Sequence, residues 1–281
     1  MNAYITTNGF QLHYLDHAGA GPTLVLAPGL TANAHAFDAI VARLAGKVRV
    51  LALDLRGRGL SDAPPAGYTM ADHAADVLGL LDALGLERVV MGGHSFGGFL
   101  SLYLAAHAPE RFERLVIMDA AIGVAVPRTR ELIQPSLDRL GHTYPSFAAY
   151  LDLLKAAPYY AGWPWDPAVE SYYQADVQVL DDGSVRARSR PEHIAAAMDG
   201  VVAEPWRDHL ARINQPALLL HAPGAYGPPG APPIVTEAQA REMIDLLPDC
   251  RYVPVPGNHQ TMLYSAGADA IAEAILAFIG T

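Results

Sequence analysis

The sequence predicts an α/β fold built on a mostly parallel sheet, and three observations predict it. Short apolar, β-prone runs alternate with amphipathic helical stretches along most of the chain, the pattern of parallel strands covered on both faces. The pentapeptide Gly93-His94-Ser95-Phe96-Gly97 stands between the apolar run Val89-Val90-Met91 and the helical pattern Phe99 to Ala108, which reads as strand, tight turn, helix. With 281 residues, 51% hydrophobic and 17% charged, the chain has the composition of a globular protein and can bury one large core, with or without an insertion.

The elements follow in order. Tyr4–Thr7 and Gln11–Tyr14 form a predicted hairpin around Asn8-Gly9, a turn dipeptide that accepts positive φ. Thr23–Ala27 is a buried strand, and Ala34–Leu44 a helix capped by Asn33. Val48–Leu53 is a strand, Met70–Leu84 a helix ended by Gly85, and Arg88–Met91 the strand before the serine turn. Leu115–Met118 is the next strand. Ala217–His221 and Arg251–Val255 are strands near the end, with helices at Thr236–Leu247 and Ala268–Ile279.

Between about residues 122 and 214 the alternation stops. The stretch is rich in aromatics, among them Tyr159, Trp163, Trp165, Tyr172 and Trp206, and carries a hairpin signal at Val177–Leu180, Asp181-Asp182-Gly183 and Val185–Arg188. It is expected to be a mainly helical cap seated over the sheet edge, with residues 1–121 and 215–281 forming the core domain. A second layer of core with no part in binding is the alternative.

Charge narrows the partners. A formal net charge of -10 and no Lys/Arg-rich run argue against nucleic acid and anionic membrane, leaving a small molecule as the expected partner. The single cysteine, Cys250, permits no internal disulfide and reads as a small packing residue. No basic-then-apolar leader is visible and the apolar run Leu115–Val126 is too short to span a bilayer, so a cytoplasmic protein is expected. No His/Cys/Asp cluster has metal-ligand spacing, and the Gly-rich turn lacks the Gly-Lys-Ser/Thr ending of a phosphate cradle, so neither metal nor cofactor is expected.

The chemistry centres on Ser95. A Gly-x-Ser-x-Gly turn lifts its serine above the sheet edge in a strained backbone, and the glycines remove side chains that would collide there. A serine hydroxyl is a poor nucleophile without a base. His259, in Pro256-Gly257-Asn258-His259 after the last strand, is the histidine whose position lets it reach back to the turn. His94 inside the turn is expected to pack. His35, His142 and His221 rank below as pocket neighbours. An oxyanion hole needs two N–H groups, expected from Phe96 and from Leu30 in the loop Pro28-Gly29-Leu30.

These pieces resemble the α/β-hydrolase fold family: Pro28-Gly29-Leu30, the loop Asp54-Leu55-Arg56-Gly57-Arg58-Gly59-Leu60-Ser61-Asp62, Gly93 to Gly98, and Gly257-Asn258-His259, in family order from end to end apart from the cap. The resemblance implies an eight-stranded sheet with one antiparallel strand, a helical cap and a Ser–acid–His triad, with Asp54 and Arg56 structural. The chain departs from the pattern twice. Many relatives carry His-Gly where this chain has Pro28-Gly29. The acid that many carry after the strand equivalent to Ala217–His221 is missing: the loop Ala222 to Pro233 holds no carboxylate. Some family members place the acid one strand earlier, where this chain has Asp119, and Asp119 is taken as the triad acid, with Glu237 and Asp249 as alternatives.

The expected function is a serine hydrolase of a carboxylic ester or lactone, acting on a small to medium, moderately apolar substrate through an acyl-enzyme. His35, Tyr159, Trp163, Trp165 and His221 are the expected substrate-binding residues. Carbon–carbon bond hydrolysis, amide hydrolysis and acyl transfer use the same triad and stay open. A receptor-like binding protein on the same scaffold is the alternative of another class.

Overall fold

The computed structural model describes residues 1–123, 126–228 and 230–280. Strands β1 (Asn2–Thr7) and β2 (Phe10–His17) form the N-terminal hairpin, with Asn8 and Gly9 both at positive φ in the turn. Then come β3 (Thr23–Ala27), α1 (Asp38–Leu44), β4 (Arg49–Leu53) and α2 (Met70–Ala83). A 3-10 turn over Ala34–Phe37 precedes α1, so the expected single helix starts as a tighter coil, with the Asn33 side chain accepting the His35 N–H at 3.0 Å. Thr69 and Asp72 close a capping box on α2.

Strand β5 (Val89–His94) leads through Ser95 into α3 (Phe96–His107), and β6 (Phe112–Met118) follows. The chain then leaves the sheet. It forms α4 (Val126–Asp138), β7 (Thr143–Tyr144), α5 (Phe147–Lys155), α6 (Ala168–Asp176), β8 (Val177–Val179), β9 (Val185–Ala187), α7 (Pro191–Val202) and α8 (Trp206–Leu210). The predicted hairpin is the β8–β9 pair, joined by β7 in a separate three-stranded sheet ordered β7-β9-β8. It returns as β10 (Ala217–His221), α9 (Glu237–Leu246), β11 (Cys250–Pro254) and α10 (Ser265–Ile279).

The main sheet has eight strands in the order β1-β2-β4-β3-β5-β6-β10-β11. Only β2 runs against the rest, since it pairs antiparallel with both β1 and β4. From β3 the chain steps back to β4, then forward to β5 and β6. Right-handed crossovers in opposite directions place their helices on opposite faces, which puts α1 against α10 on one face and α2 beside α3 on the other. The direction reverses between β3 and β5, and such a reversal leaves a crevice beyond the carboxyl ends of the two strands. Pro28-Gly29-Leu30 and Ser95 stand at those two ends. Among the described residues no helix is long and apolar enough to cross a membrane.

Candidate active site

Ser95 sits at φ 53° and ψ -114°, a backbone conformation that costs a non-glycine residue about 1–3 kcal/mol. The surrounding packing imposes it. A side chain at Gly93 would meet the Gly97 backbone at 2.2 Å, and one at Gly97 would meet the Ala27 carbonyl oxygen at 1.9 Å. The turn is pinned from β6, whose Met118 carbonyl accepts the Ser95 N–H at 2.9 Å. Helix α3 starts at Phe96, directly after Ser95, so its unpaired first N–H groups and the positive end of its dipole lie beside the serine.

Register then places Asp119 beside the serine turn. His94 pairs with Met118 across the β5–β6 ladder, so Ser95 and Asp119 are the next residues on neighbouring strand ends. Asp119 is also held at positive φ, 48°, and is buried. Its N–H donates to Leu220 at 2.8 Å, and its Oδ1 accepts the Ala222 N–H at 3.0 Å. Its Oδ2 takes the Nδ1–H of His259 at 2.6 Å. That bond fixes the His259 tautomer and leaves Nε2 with a free lone pair.

The loop carrying His259 is set by Asn258. Its Oδ1 accepts the N–H groups of Gln260 and Thr261, each at 3.0 Å, and its Nδ2 donates to the carbonyls of Tyr159 and Ala225. The loop after β10 closes onto the same place: Gly224 donates to Gly257, and a side chain at Gly224 would meet the Gly257 carbonyl oxygen at 2.3 Å. Pro229 of that loop lies outside the described residues. Behind His259 stands His94, its ring 4.5 Å away and its Nε2–H donating to the His259 carbonyl at 2.8 Å. Burial, reinforced by His259, holds His94 well below the ordinary imidazole pKa, so it stays neutral.

Ser95, His259, Leu30 and Phe96 border one cavity of about 250 Å³. The rest of its wall is mostly apolar. Phe99, Ala121, Ile234 and Leu263 come from the sheet domain, and Ile133, Leu137, Met198, Val201, Val202 and Trp206 from the segment between β6 and β10. Thr31, Thr129, Ser136, Tyr172 and Gln260 supply polar groups. Among the described residues no Asp, Glu, Lys or Arg lines it.

The five expected substrate contacts stand elsewhere. His35 turns to Asp38, with Nδ1 2.9 Å from its carboxylate. His221 spans the Tyr252 hydroxyl and the Val235 carbonyl at the end of β10. Tyr159 stacks on Tyr226. Trp163 and Trp165 pack on Tyr160, and the Trp165 indole donates to Glu170. Each of these rings is engaged by a neighbour, and none of the five lines the cavity. His142 is exposed on the surface. Of the alternative acids, Glu237 is a solvent-exposed partner of Arg241 and Asp249 is exposed after α9, whereas the carboxylate paired with His259 is that of Asp119. Sequence reading missed the wall formed by α7 and α8, in which Met198, Val201 and Val202 share one face of α7 and Trp206 begins α8. Asp54 and Arg56 do not line the cavity and sit in buried hydrogen-bond networks. Asp54 takes His13 at 2.7 Å with the N–H groups of Ala34 and Leu60, and Arg56 pairs with Asp76 at 2.5 Å.

The family described as alpha/beta hydrolase fold matches residues 22–265. A 2-(acetamidomethylene)succinate hydrolase of Mesorhizobium japonicum is 28% identical over 85% of this chain and 81% of its own. An N-formylmaleamate deformylase of Pseudomonas putida is 29% identical over 90% of this chain and 88% of its own. Among solved structures, the enol-lactonase of Burkholderia xenovorans is similar with a TM-score of 0.75 and 26% identity, covering 99% of this chain and 100% of that one.

Proposed function

The chain belongs to the α/β-hydrolase fold family, and on that premise we propose that it is a serine hydrolase of a neutral carboxylic ester or lactone. One observation carries the reading: His259, oriented by Asp119 at 2.6 Å, borders the same cavity as a serine held in a strained turn. His259 Nε2 takes the Ser95 proton as Oγ attacks the carbonyl carbon. The N–H groups of Leu30 and Phe96 receive the oxyanion, and Asp119 stabilises the imidazolium. His259 then protonates the leaving alkoxide. The acyl-enzyme is released when His259 takes a proton from water and the hydroxide attacks the acyl carbon, regenerating Ser95.

The wall sets the substrate. Burying a carboxylate or ammonium without a partner costs several kcal/mol, so the enclosed part of the substrate is uncharged. The residues 122–214 act as a cap in this reading, because α4, α6, α7 and α8 supply more than a third of the wall over Ser95. The enol-lactonase likeness supports the lactone form. The acetamido and formyl groups in the names of the two sequence relatives support a second reading, cleavage of a carbon–nitrogen bond by the same serine.

A fluorophosphonate probe and a panel of neutral p-nitrophenyl esters, δ-lactones and acetanilides test both. Labelling of Ser95, turnover on esters or lactones, and a loss of about 10⁴-fold or more in Ser95→Ala are the expected results. Turnover confined to the acetanilides would transfer the site to the second reading. No labelling and no turnover would defeat both.

A further inference from the structure

The loop that supplies Leu30 is held from behind by two buried guanidinium groups. Arg58, in the turn after β4, is 1% exposed and donates through Nε to the Leu30 carbonyl at 3.0 Å. Its Nη1 donates to the Arg56 carbonyl at 2.8 Å, and its guanidinium carbon lies 5.2 Å from the centre of the Phe96 ring. Arg139, after α4, donates to the next carbonyl along, that of Thr31, at 3.1 Å. Both residues expected to form the oxyanion hole therefore touch Arg58.

The two cations differ in one respect. Arg139 is paired with the buried Asp176 at 3.4 Å, and Asp176 also accepts the Tyr150 hydroxyl. Among the described residues Arg58 has no carboxylate within ion-pair distance, and its buried Nη2 has no hydrogen-bond partner. His73, 3.4 Å from Nη1, is kept neutral by burial first and then by Arg58 and Arg56. Burial pushes the Arg58 guanidinium down to about 9, the sign of a charge held at a cost.

An uncompensated buried cation is destabilising unless an anion comes near it. An ester carbonyl in the ground state carries no full charge, whereas the tetrahedral intermediate carries one on the oxygen facing Leu30 and Phe96. Interactions that strengthen only as that charge develops raise kcat rather than substrate affinity. We propose that Arg58 is a positioning residue of the oxyanion hole, restraining the backbone on the C-terminal side of Leu30 through its carbonyl and lending its unneutralised charge to the tetrahedral oxyanion. This rests on the serine hydrolase reading.

The test uses the full chain with Arg58→Gln, which keeps a donor and loses the charge, and Arg58→Lys, which keeps the charge and loses the two-carbonyl grip. Each is assayed for kcat and KM on a neutral p-nitrophenyl ester. Each is also titrated with a trifluoromethyl ketone, which forms a tetrahedral adduct with serine, and with the matching methyl ketone, which stays planar. Losing one direct oxyanion donor costs about 10²–10³-fold, so a group acting through the donors should cost about 30-fold in Arg58→Gln and about 5-fold in Arg58→Lys. KM should stay within about threefold, and the trifluoromethyl ketone should weaken by the same factor as kcat while the methyl ketone does not. The proposal is overturned if Arg58→Gln keeps its kcat within about twofold, if the loss falls on KM, or if the two ketones weaken equally. Should Arg58→Gln fail to fold, the two ketones against Arg58→Lys decide by the same criteria. Failure of the underlying reading shows separately, as wild-type protein that neither turns over ester nor takes up the fluorophosphonate.

Discussion

Two buried aspartate–histidine pairs sit in this molecule, and by geometry alone they are nearly interchangeable. Asp54 and His13 meet at 2.7 Å, Asp119 and His259 at 2.6 Å, each through Nδ1. Each carboxylate also accepts backbone N–H groups. The surroundings of the second ring nitrogen separate them. His13 Nε2 lies 3.3 Å from the Asn2 side chain, with its ring against Tyr4, inside a closed junction between the hairpin and the Asp54 loop. His259 presents its other edge to a cavity that also holds a strained serine. An Asp–His bond therefore marks a site only where the imidazole has somewhere to pass a proton.

Removing the charge from each carboxylate breaks the comparison most sharply. Asp119→Asn should lower kcat by about 10³–10⁴-fold with the fold intact, because the imidazole loses its tautomer and its imidazolium partner. Asp54→Asn should cost about 3 kcal/mol of stability by breaking a buried pair, while kcat of the folded protein stays within about threefold. Glu237→Gln, in an exposed i,i+4 pair, should change neither. Urea denaturation together with turnover on a neutral ester separates the outcomes. A kcat collapse in Asp54→Asn with unchanged stability would erase the distinction between the two pairs.

The sequence pointed to Asp119 and His259 through the serine turn and a loop after β10 with no carboxylate, read with the resemblance to family members that carry the acid one strand earlier. The individual strands were legible because each announces itself over a short apolar run, whereas the eight-stranded sheet with one reversed strand came from the resemblance to the family. The wall of the cavity was not legible. Tyr159, Trp163 and Trp165 are the conspicuous aromatics, yet each packs on another aromatic, Tyr226 or Tyr160, and none lines the cavity. Which face of α7 and α8 turns toward Ser95 depends on long-range packing that no window of sequence contains. Strand β7, two residues long, is too short to leave a pattern. Arg58 lies within the Asp54–Asp62 motif, but the absence of a counter-ion among the described residues is visible only in three dimensions.

That difference between local and long-range information gives a smaller effect to measure. Trp206, on the cavity wall, and Trp163, packed on Tyr160 and Tyr264, are both partly buried indoles of the same segment. Trp206→Ala should raise KM for a medium-chain ester by about tenfold through lost apolar contact, with kcat little changed. Trp163→Ala should leave KM within about twofold and lower the stability by about 2 kcal/mol instead. Equal KM effects would mean that the segment holds the substrate as one unit rather than through the α7–α8 face.

A histidine with no carboxylate completes the series, and it shows itself in pH dependence. His94 and His73 are both buried and held well below the ordinary imidazole pKa, mainly by desolvation. In the unfolded chain each titrates near 6.5, so below that pH the unfolded state binds protons that the folded state refuses. Stability is then full above about pH 6.5 and falls as pH drops from there toward the folded-state values, by up to about 1.4 kcal/mol per pH unit for each group. His35 has the opposite sign. Its bond to Asp38 raises its pKa, so its contribution is full below about pH 6.5 and is lost as pH rises through the folded value. Urea midpoints between pH 7.5 and 5.5 should therefore decline more steeply in the wild type than in His94→Asn, by about one proton's worth of slope. An unchanged slope in His94→Asn would mean that His94 accepts a proton in the folded protein, and that the ring behind His259 is charged rather than neutral.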